Sequence, residues 1–196
     1  MTAVLISINP KFVEKIASGE KTIEVRKSRP KLETPFKCYI YMTATKRRGL
    51  LWEYDTAYKN SKGDVVDGGQ KVIGEFVCDR IEGFHEWELS PSKRFYEEEK
   101  SRLDLFLKES CLTYEEVCEY RKNLSSIKPL FGWHISKLKI YDKPKELSEF
   151  KRWNRTEENS PCAHTKWIYP DCKDCKACNL TRPPQSWCYV KEFQNG

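Results

Sequence analysis

Residues 18–26 read Ser-Gly-Glu-Lys-Thr-Ile-Glu-Val-Arg, and this stretch decides the fold that the sequence predicts. Gly19 has the position of a residue that ends a helix, and the chain then enters a strand with alternating apolar and polar residues. Lys21, Glu24 and Arg26 place charges of both signs in and next to this short strand. Such charges indicate one strand face in a polar groove, of a kind that suits a nucleobase or a phosphate.

The flanking segments predict a small mixed β-barrel of the α+β class. Before the stretch, an apolar strand is followed by Asn9-Pro10, which is typical of a helix N-terminus. After it, Gly74 interrupts an apolar run and indicates a bulge or a close backbone approach. Thr113 and Glu116 have the spacing of a capping box. The predicted strands are Val4–Ile8, Thr22–Arg26, Cys38–Thr43, Lys71–Arg80, Leu130–Ile135 and Leu138–Tyr141, with helices after the first strand and within 92–122.

The last quarter of the chain differs in composition from the rest. It has few aliphatic residues and five of the nine cysteines. We therefore expect two parts, a barrel domain at 1–145 and a Cys-rich appendage at 146–196, and a polar segment this short needs more than hydrophobic burial to fold.

The charge is uneven along the 196 residues. Residues 1–50 hold eleven Lys or Arg against four Glu, including the run Lys46-Arg47-Arg48. Such a basic segment attracts polyanions by counterion release, although a solvated surface explains it equally well. No apolar run reaches the roughly 18 residues of a membrane span, and no export signal precedes the nine cysteines. We therefore expect a cytoplasmic protein without a membrane segment.

These residues resemble the ASCH domain, a branch of the PUA-like β-barrels associated with RNA-related proteins. The resemblance rests on residues 5–10, on Gly19-Glu20-Lys21-Thr22-Ile23-Glu24-Val25-Arg26, on residues 72–76 and on residues 132–141, and it covers about residues 3–143. The chain with its Cys-rich tail looks like proteins of phages and the bacteria that they infect. The resemblance implies a barrel whose cleft, beside the first helix and the following strand, binds RNA or a nucleotide.

In a basic cleft of this kind, Lys21 and Arg26 would meet phosphate or base acceptors. Glu24 would accept a hydrogen bond from an exocyclic amine, Thr22 lies on the same strand, and Trp133 would stack on a base. The alternative is a structural role, in which Glu24 and Arg26 form a same-face pair on an exposed strand, worth about 0.2–1 kcal/mol, and the aromatic residues belong to the core.

Some similar proteins are small amidohydrolases that remove the acetyl group of N4-acetylcytidine. Their motif lysine falls on Lys21 here, but their nucleophilic threonine falls on Glu24. For an enzyme we therefore expect Lys21 as a base, Glu24 as a carboxylate that activates water, and Glu75 as a second acid. A nuclease is a further alternative within this enzymatic class.

The tail predicts a metal site. Cys172-x-x-Cys175-x-x-Cys178 has the spacing in which a tight turn brings thiolates around a soft ion. Tetrahedral zinc needs a fourth ligand, for which Cys162 is the first choice and Cys188 or His164 are substitutes. An iron–sulfur cluster is the competing occupant, and unliganded thiols are the alternative without a metal.

Overall fold

The computed structural model describes residues 1–44, 47–48, 51–52, 56–85, 97–153 and 179–193. Within them the helices are α1 (Pro10–Ala17), α2 (Glu97–Ser110) and α3 (Tyr114–Arg121), and a 3₁₀ turn covers Leu147–Glu149. The strands are β1 (Thr2–Ile8), β2 (Ile23–Arg26), β3 (Phe36–Met42), β4 (Arg47–Arg48), β5 (Leu51–Trp52), β6 (Ala57–Lys59), β7 (Val65–Asp67), β8 (Lys71–Phe84), β9 (Leu130–Glu146) and β10 (Trp187–Lys191).

Six of these strands form one mixed sheet in the order β10-β1-β3-β8-β9-β2. β1 and β3 run parallel, and the other neighbours are antiparallel. The α+β class is therefore confirmed, but no ladder between β2 and β10 closes the sheet in the part of the chain that the structure describes. Of the predicted small mixed β-barrel, the described residues therefore show the mixed sheet and not its closure, since strand alternation in the sequence reports pairing and not closure.

Local sequence rules account for α1. The Asn9 side chain accepts a hydrogen bond from the Lys11 backbone N–H, and Pro10 occupies the first turn, where its missing N–H costs nothing. Gly19 follows the helix with a φ of +79°, a conformation that glycine adopts without strain. Val13 and Ile16 face the core. The helix thus ends where the charged strand must begin.

The period of two in β1 separates two hydrophobic cores. Val4, Ile6 and Ile8 point into a core that contains residues of α1. Ala3 and Leu5 point to the opposite face, where a second core contains residues of the C-terminal segment. Every one of these β1 side chains is almost completely buried, so β1 contributes to both of these cores.

The insertion between β8 and β9 forms a third core. Phe106 of α2 and Val117 of α3 pack against Ile23 and Val25 of β2. The predicted capping box is confirmed, because the Thr113 side chain accepts from the Glu116 N–H while the Glu116 carboxylate accepts from the Thr113 N–H. These two helices therefore cover β2 and form one side of the space beside it.

The two ends of the predicted appendage belong to the main sheet and core. β10 pairs antiparallel with β1, and Phe150, Leu180 and Val190 are buried in the second core. The boundary expected at 145/146 therefore does not separate residues 147–153 and 179–193 from the first 145. The described helices are all too short or too polar to span a bilayer.

Candidate functional site

A cleft of about 680 Å³ lies between α1, β2 and α3. The end of β1 and the residues that precede β10 complete its lining through Ser7 and Gln185. The cleft therefore collects residues that are far apart in sequence, and the predicted charged strand forms its floor.

Three buried charged side chains form the floor. Glu24 lies between the two basic residues, with its Oε1 2.9 Å from an Arg26 terminal nitrogen and its Oε2 3.4 Å from Lys21 Nζ. All three residues are less than 10% exposed. Charges that are removed from water persist only when they are compensated, so the triad is a single electrostatic unit.

Lys21 links β2 to α2 through hydrogen bonds. Its Nζ donates to the Ile23 carbonyl at 2.7 Å and to the Ser110 carbonyl at 2.6 Å. These bonds join the start of β2 to the end of α2. Burial lowers the pKa of Lys21, and the neighbouring carboxylate of Glu24 opposes this effect in part. Lys21 donates hydrogen bonds to two backbone carbonyls and forms an ion pair with Glu24, so it supports the floor of the cleft.

Arg26 joins two parts of the sheet that no ladder joins. One terminal nitrogen donates to the Ser7 carbonyl of β1 at 2.5 Å, and the other lies 3.5 Å from Ser186 Oγ before β10. Ser7 Oγ in turn donates to the Pro184 carbonyl. The guanidinium therefore spans the opening between β2 and β1, which the sequence could not indicate because residues 26, 7 and 186 are distant in the chain.

The floor retains unused hydrogen-bonding capacity. Among the described residues, Glu24 Oε2 and Arg26 Nε are buried atoms without a hydrogen-bond partner. The first is an acceptor and the second is a donor, and both belong to side chains that line the cleft. Buried polar atoms without partners are costly, and an acceptor beside a donor can be satisfied by the edge of a heterocyclic ring.

Aromatic rings and ion pairs form the walls. On the α1 side, Phe12 has Lys21 Nζ 4.9 Å from its ring centroid, and Lys11 forms an ion pair with Glu116 of α3. On the α3 side, Tyr120 has Lys27 Nζ 5.0 Å from its ring centroid. Phe12 also packs against the first core, and no motif in the sequence marks Tyr120 as part of a cleft. Only the position of α3 over β2 reveals their place.

The charge of the lining is nearly balanced. Four basic side chains face three acidic ones, namely Lys11, Lys21, Arg26 and Lys27 against Glu24, Glu116 and Glu119. The predicted basic cleft is thus a cleft of mixed charge. It suits a ligand with both donors and acceptors better than a run of phosphates.

The remaining predicted ligand contacts lie elsewhere. Trp133 is fully buried in the first core, where it packs edge-on against Phe36, so it is not a stacking surface in the cleft. Thr22 is exposed, and its backbone N–H donates to the Glu109 carbonyl. Glu75 accepts a hydrogen bond from the Tyr141 hydroxyl at 2.7 Å and belongs to β8, outside the cleft lining. The structure therefore does not bring Glu75 to Lys21 and Glu24.

The predicted metal ligands fall largely outside the described residues. This applies to Cys162, His164, Cys172, Cys175 and Cys178. Cys188 is described, and it lies half-buried on β10 against the second core, where burial raises its thiol pKa to about 11. Cys188 as the substitute ligand stays a prediction from the sequence, because the other predicted ligands lie outside the described residues. The described ranges contain no group of three metal-ligating side chains.

Comparison with solved structures identifies the fold. Crystal structures of ASCH from Zymomonas mobilis match this chain with a TM-score of 0.51 at 16% identity, covering 97% of this chain and 88% of that one. A Ser-to-Ala variant of the same protein gives 0.52 at 16% identity, with 97% and 89% covered, and a Tyr-to-Phe variant gives 0.50 at 16%, with 97% and 91% covered. The sequence matches no family model and no curated protein. The chain thus has an ASCH-like fold, and its ligand must be argued from the cleft.

Proposed function

We propose that the protein binds RNA or a nucleotide in the cleft between α1, β2 and α3. The ASCH-like fold supports this proposal through the resemblance of residues 19–26 to the motif of that family. The observation that carries it is the floor, where the buried side chains of Glu24 and Arg26 line a cleft with aromatic and cationic walls. Glu24 Oε2 lies 3.4 Å from Lys21 Nζ without a hydrogen bond, and Arg26 Nε lacks a hydrogen-bond partner among the described residues.

The chemistry of the floor matches a nucleobase. An ionised carboxylate accepts from an exocyclic amine or a ring N–H, and a guanidinium donates to a ring nitrogen or a carbonyl oxygen. Both side chains are held by other residues, Glu24 by Lys21 and Arg26 by Ser7. Both side chains therefore lose little conformational entropy when a ligand binds, and this favours affinity.

A pair of charge-matched variants tests the site. Gln185 and Thr181 are both exposed residues of the segment before β10, but only Gln185 lines the cleft. Fluorescence anisotropy with a labelled single-stranded RNA at low salt should show several-fold weaker binding for Gln185→Glu. Thr181→Glu adds the same charge outside the cleft and should bind as the wild type does. Absence of binding by the wild type to RNA, DNA and mononucleotides would overturn the proposed function.

A second function, amide hydrolysis of N4-acetylcytidine or a related modified base, is favoured by one observation. Lys21 is a buried lysine with a lowered pKa beside a carboxylate, which is an arrangement of many acid–base sites. In this alternative, Glu24 would activate a water molecule for attack on the acetyl carbonyl. Glu75 takes no part in it, because it lies outside the cleft.

Chromatography of N4-acetylcytidine after incubation with the protein tests the alternative. Turnover that is lost in Glu24→Gln, assayed at a temperature at which circular dichroism shows the variant to be folded, supports the enzyme. Unchanged substrate with the wild type rules it out. Gel analysis of the labelled RNA recovered from the binding experiment separates the nuclease alternative, since a nuclease shortens the probe.

A further inference from the structure

Tyr120 is an exposed aromatic side chain in the wall of the cleft. It lies near the end of α3, and 37% of its surface is exposed. The other tyrosines that the cores contain, Tyr39, Tyr41, Tyr58 and Tyr141, are at most 8% exposed. Tyr120 is therefore not needed to complete a hydrophobic core, and its ring is available to a ligand.

The ring of Tyr120 lines the cleft beside the end of β2, where Arg26 and Lys27 also line it. Burial raises the pKa of Tyr120, and the positive charge of Arg26 is the largest effect that opposes this rise. The ring is therefore placed among cationic side chains at the end of β2.

Lys27 shows that one face of this ring is accessible. Its Nζ lies 5.0 Å from the ring centroid, which is the distance of a cation–π contact. Within the described residues, Lys27 has no ion pair that would hold its ammonium group elsewhere. A half-exposed lysine of this kind can turn from the ring to a phosphate next to a stacked base.

We propose that Tyr120 and Lys27 form a nucleotide subsite, in which the base stacks on the Tyr120 ring and Lys27 Nζ binds the adjacent phosphate. This inference rests on the proposed function and specifies its ligand. Because the bases of a duplex are already stacked on one another, the subsite takes an unpaired base, so the partner is single-stranded nucleic acid or a free nucleotide. Stacking on an aromatic ring accepts every base. Discrimination between bases would therefore depend on hydrogen bonds to Glu24 and Arg26.

Substitutions at position 120 test the stacking contact. In anisotropy titrations with a labelled single-stranded RNA, Tyr120→Leu should weaken binding about 5- to 100-fold, the range that loss of one base–aromatic stack causes. Tyr120→Phe keeps the ring and should stay much closer to the wild type. Tyr114→Ala removes a tyrosine of the same helix that does not line the cleft, and it should bind as the wild type does. Melting temperatures establish that each variant is folded.

Two further probes test the ligand that the subsite specifies. An oligonucleotide with abasic sites and the duplex form of the RNA should both bind more weakly than the single strand. Lys27→Ala should reduce the slope of log affinity against log salt by about one, as loss of one phosphate contact does, whereas Tyr120→Leu should leave the slope unchanged.

The outcomes separate the two proposals. RNA binding by the wild type with equal affinity for Tyr120→Leu, or with equal affinity for the abasic strand, overturns the subsite and leaves the proposed function standing. Failure of the wild type to bind any nucleic acid or nucleotide overturns both. Tight duplex binding with a steep salt slope also overturns the subsite, because it indicates recognition of the backbone.

Discussion

The guanidinium of Arg26 donates a 2.5 Å hydrogen bond to the backbone carbonyl of Ser7. Arg26 is the last residue of β2, an edge strand of the sheet, and Ser7 belongs to β1, the second strand from the opposite edge. The Arg26 side chain therefore connects these two strands, which no backbone hydrogen-bond ladder joins. It also helps to position the Glu24 carboxylate, because Arg26 forms an ion pair with Glu24 at 2.9 Å.

Replacement of Arg26 by methionine should be strongly destabilising. It leaves the buried Glu24 with Lys21 as its remaining basic neighbour and leaves the Ser7 carbonyl without this donor. Breaking a buried ion pair on one side costs about 3–5 kcal/mol. Urea unfolding measures the loss, and Arg29→Met, at an exposed position, should cost less than about 0.5 kcal/mol. Equal losses in the two variants would contradict the bridging role.

Gly74 should not tolerate alanine. A Cβ at this position would lie 2.6 Å from the Lys139 carbonyl oxygen of the neighbouring strand, at a bulge between β8 and β9. Relief requires a backbone shift, for which about 1–3 kcal/mol is typical. In Gly83→Ala of the same strand, the new Cβ would lie 3.5 Å from its nearest neighbour, the Pro129 Cβ. Thermal melts should therefore separate the two variants, and a stable Gly74→Ala would refute the close approach.

His134 should make stability depend on pH. Burial, with a smaller effect of Arg80, lowers the pKa of His134 below 6.5, and Glu82 opposes this shift. The unfolded chain therefore binds a proton more readily, so this contribution to stability is complete above pH 6.5 and is lost as the pH falls towards the folded pKa. Urea midpoints should fall more between pH 7.5 and 5.5 for the wild type than for His134→Gln. Identical profiles would contradict the prediction.

Loss of the cap of α3 should weaken the helix that carries Tyr120. Thr113→Ala removes the oxygen that accepts from the Glu116 N–H, and loss of an N-cap costs about 1 kcal/mol. Thr113→Ser retains the hydroxyl and should be close to the wild type. Chemical unfolding of the three proteins measures the difference, and a neutral alanine variant would show that tertiary packing alone holds the helix.

Zinc in the tail remains a prediction from the sequence. Elemental analysis of the purified protein should find about one zinc per chain, and Cys175→Ser should reduce this content. Cys188→Ser should leave it unchanged, since this thiol belongs to the second core. Iron and sulfide in place of zinc would identify an iron–sulfur cluster. Absence of metal from the wild-type protein would contradict the predicted metal site.

Features set by neighbouring residues could be predicted from the sequence. The start of α1 at Asn9 and Pro10, its end at Gly19 and the capping box at Thr113 depend on hydrogen bonds within a few residues. Gly74 also belongs here, because an unsubstituted residue within an apolar strand marks a close approach without naming the partner.

Features that depend on the packing of distant segments could not be predicted from the sequence. Trp133 resembles a stacking residue in sequence, but β2 and β9 pair so that it lies in the core. Glu75 is separated from the cleft by the order of the strands. β10 was missed because the cysteines dominated the interpretation of the tail, although the segment Trp187–Lys191 is rich in aromatic and β-branched residues that favour a strand.

The pairing of β1 with β10 constrains the order of events during synthesis. Thr2 lies opposite Lys191, so β1 is synthesised long before its antiparallel partner β10 is available. Until then β1 exposes an unpaired edge, and such edges promote association between chains. Contacts of this sequence separation also slow folding. Nascent chains that lack residues 187–191 should therefore depend on chaperones more than the finished protein does.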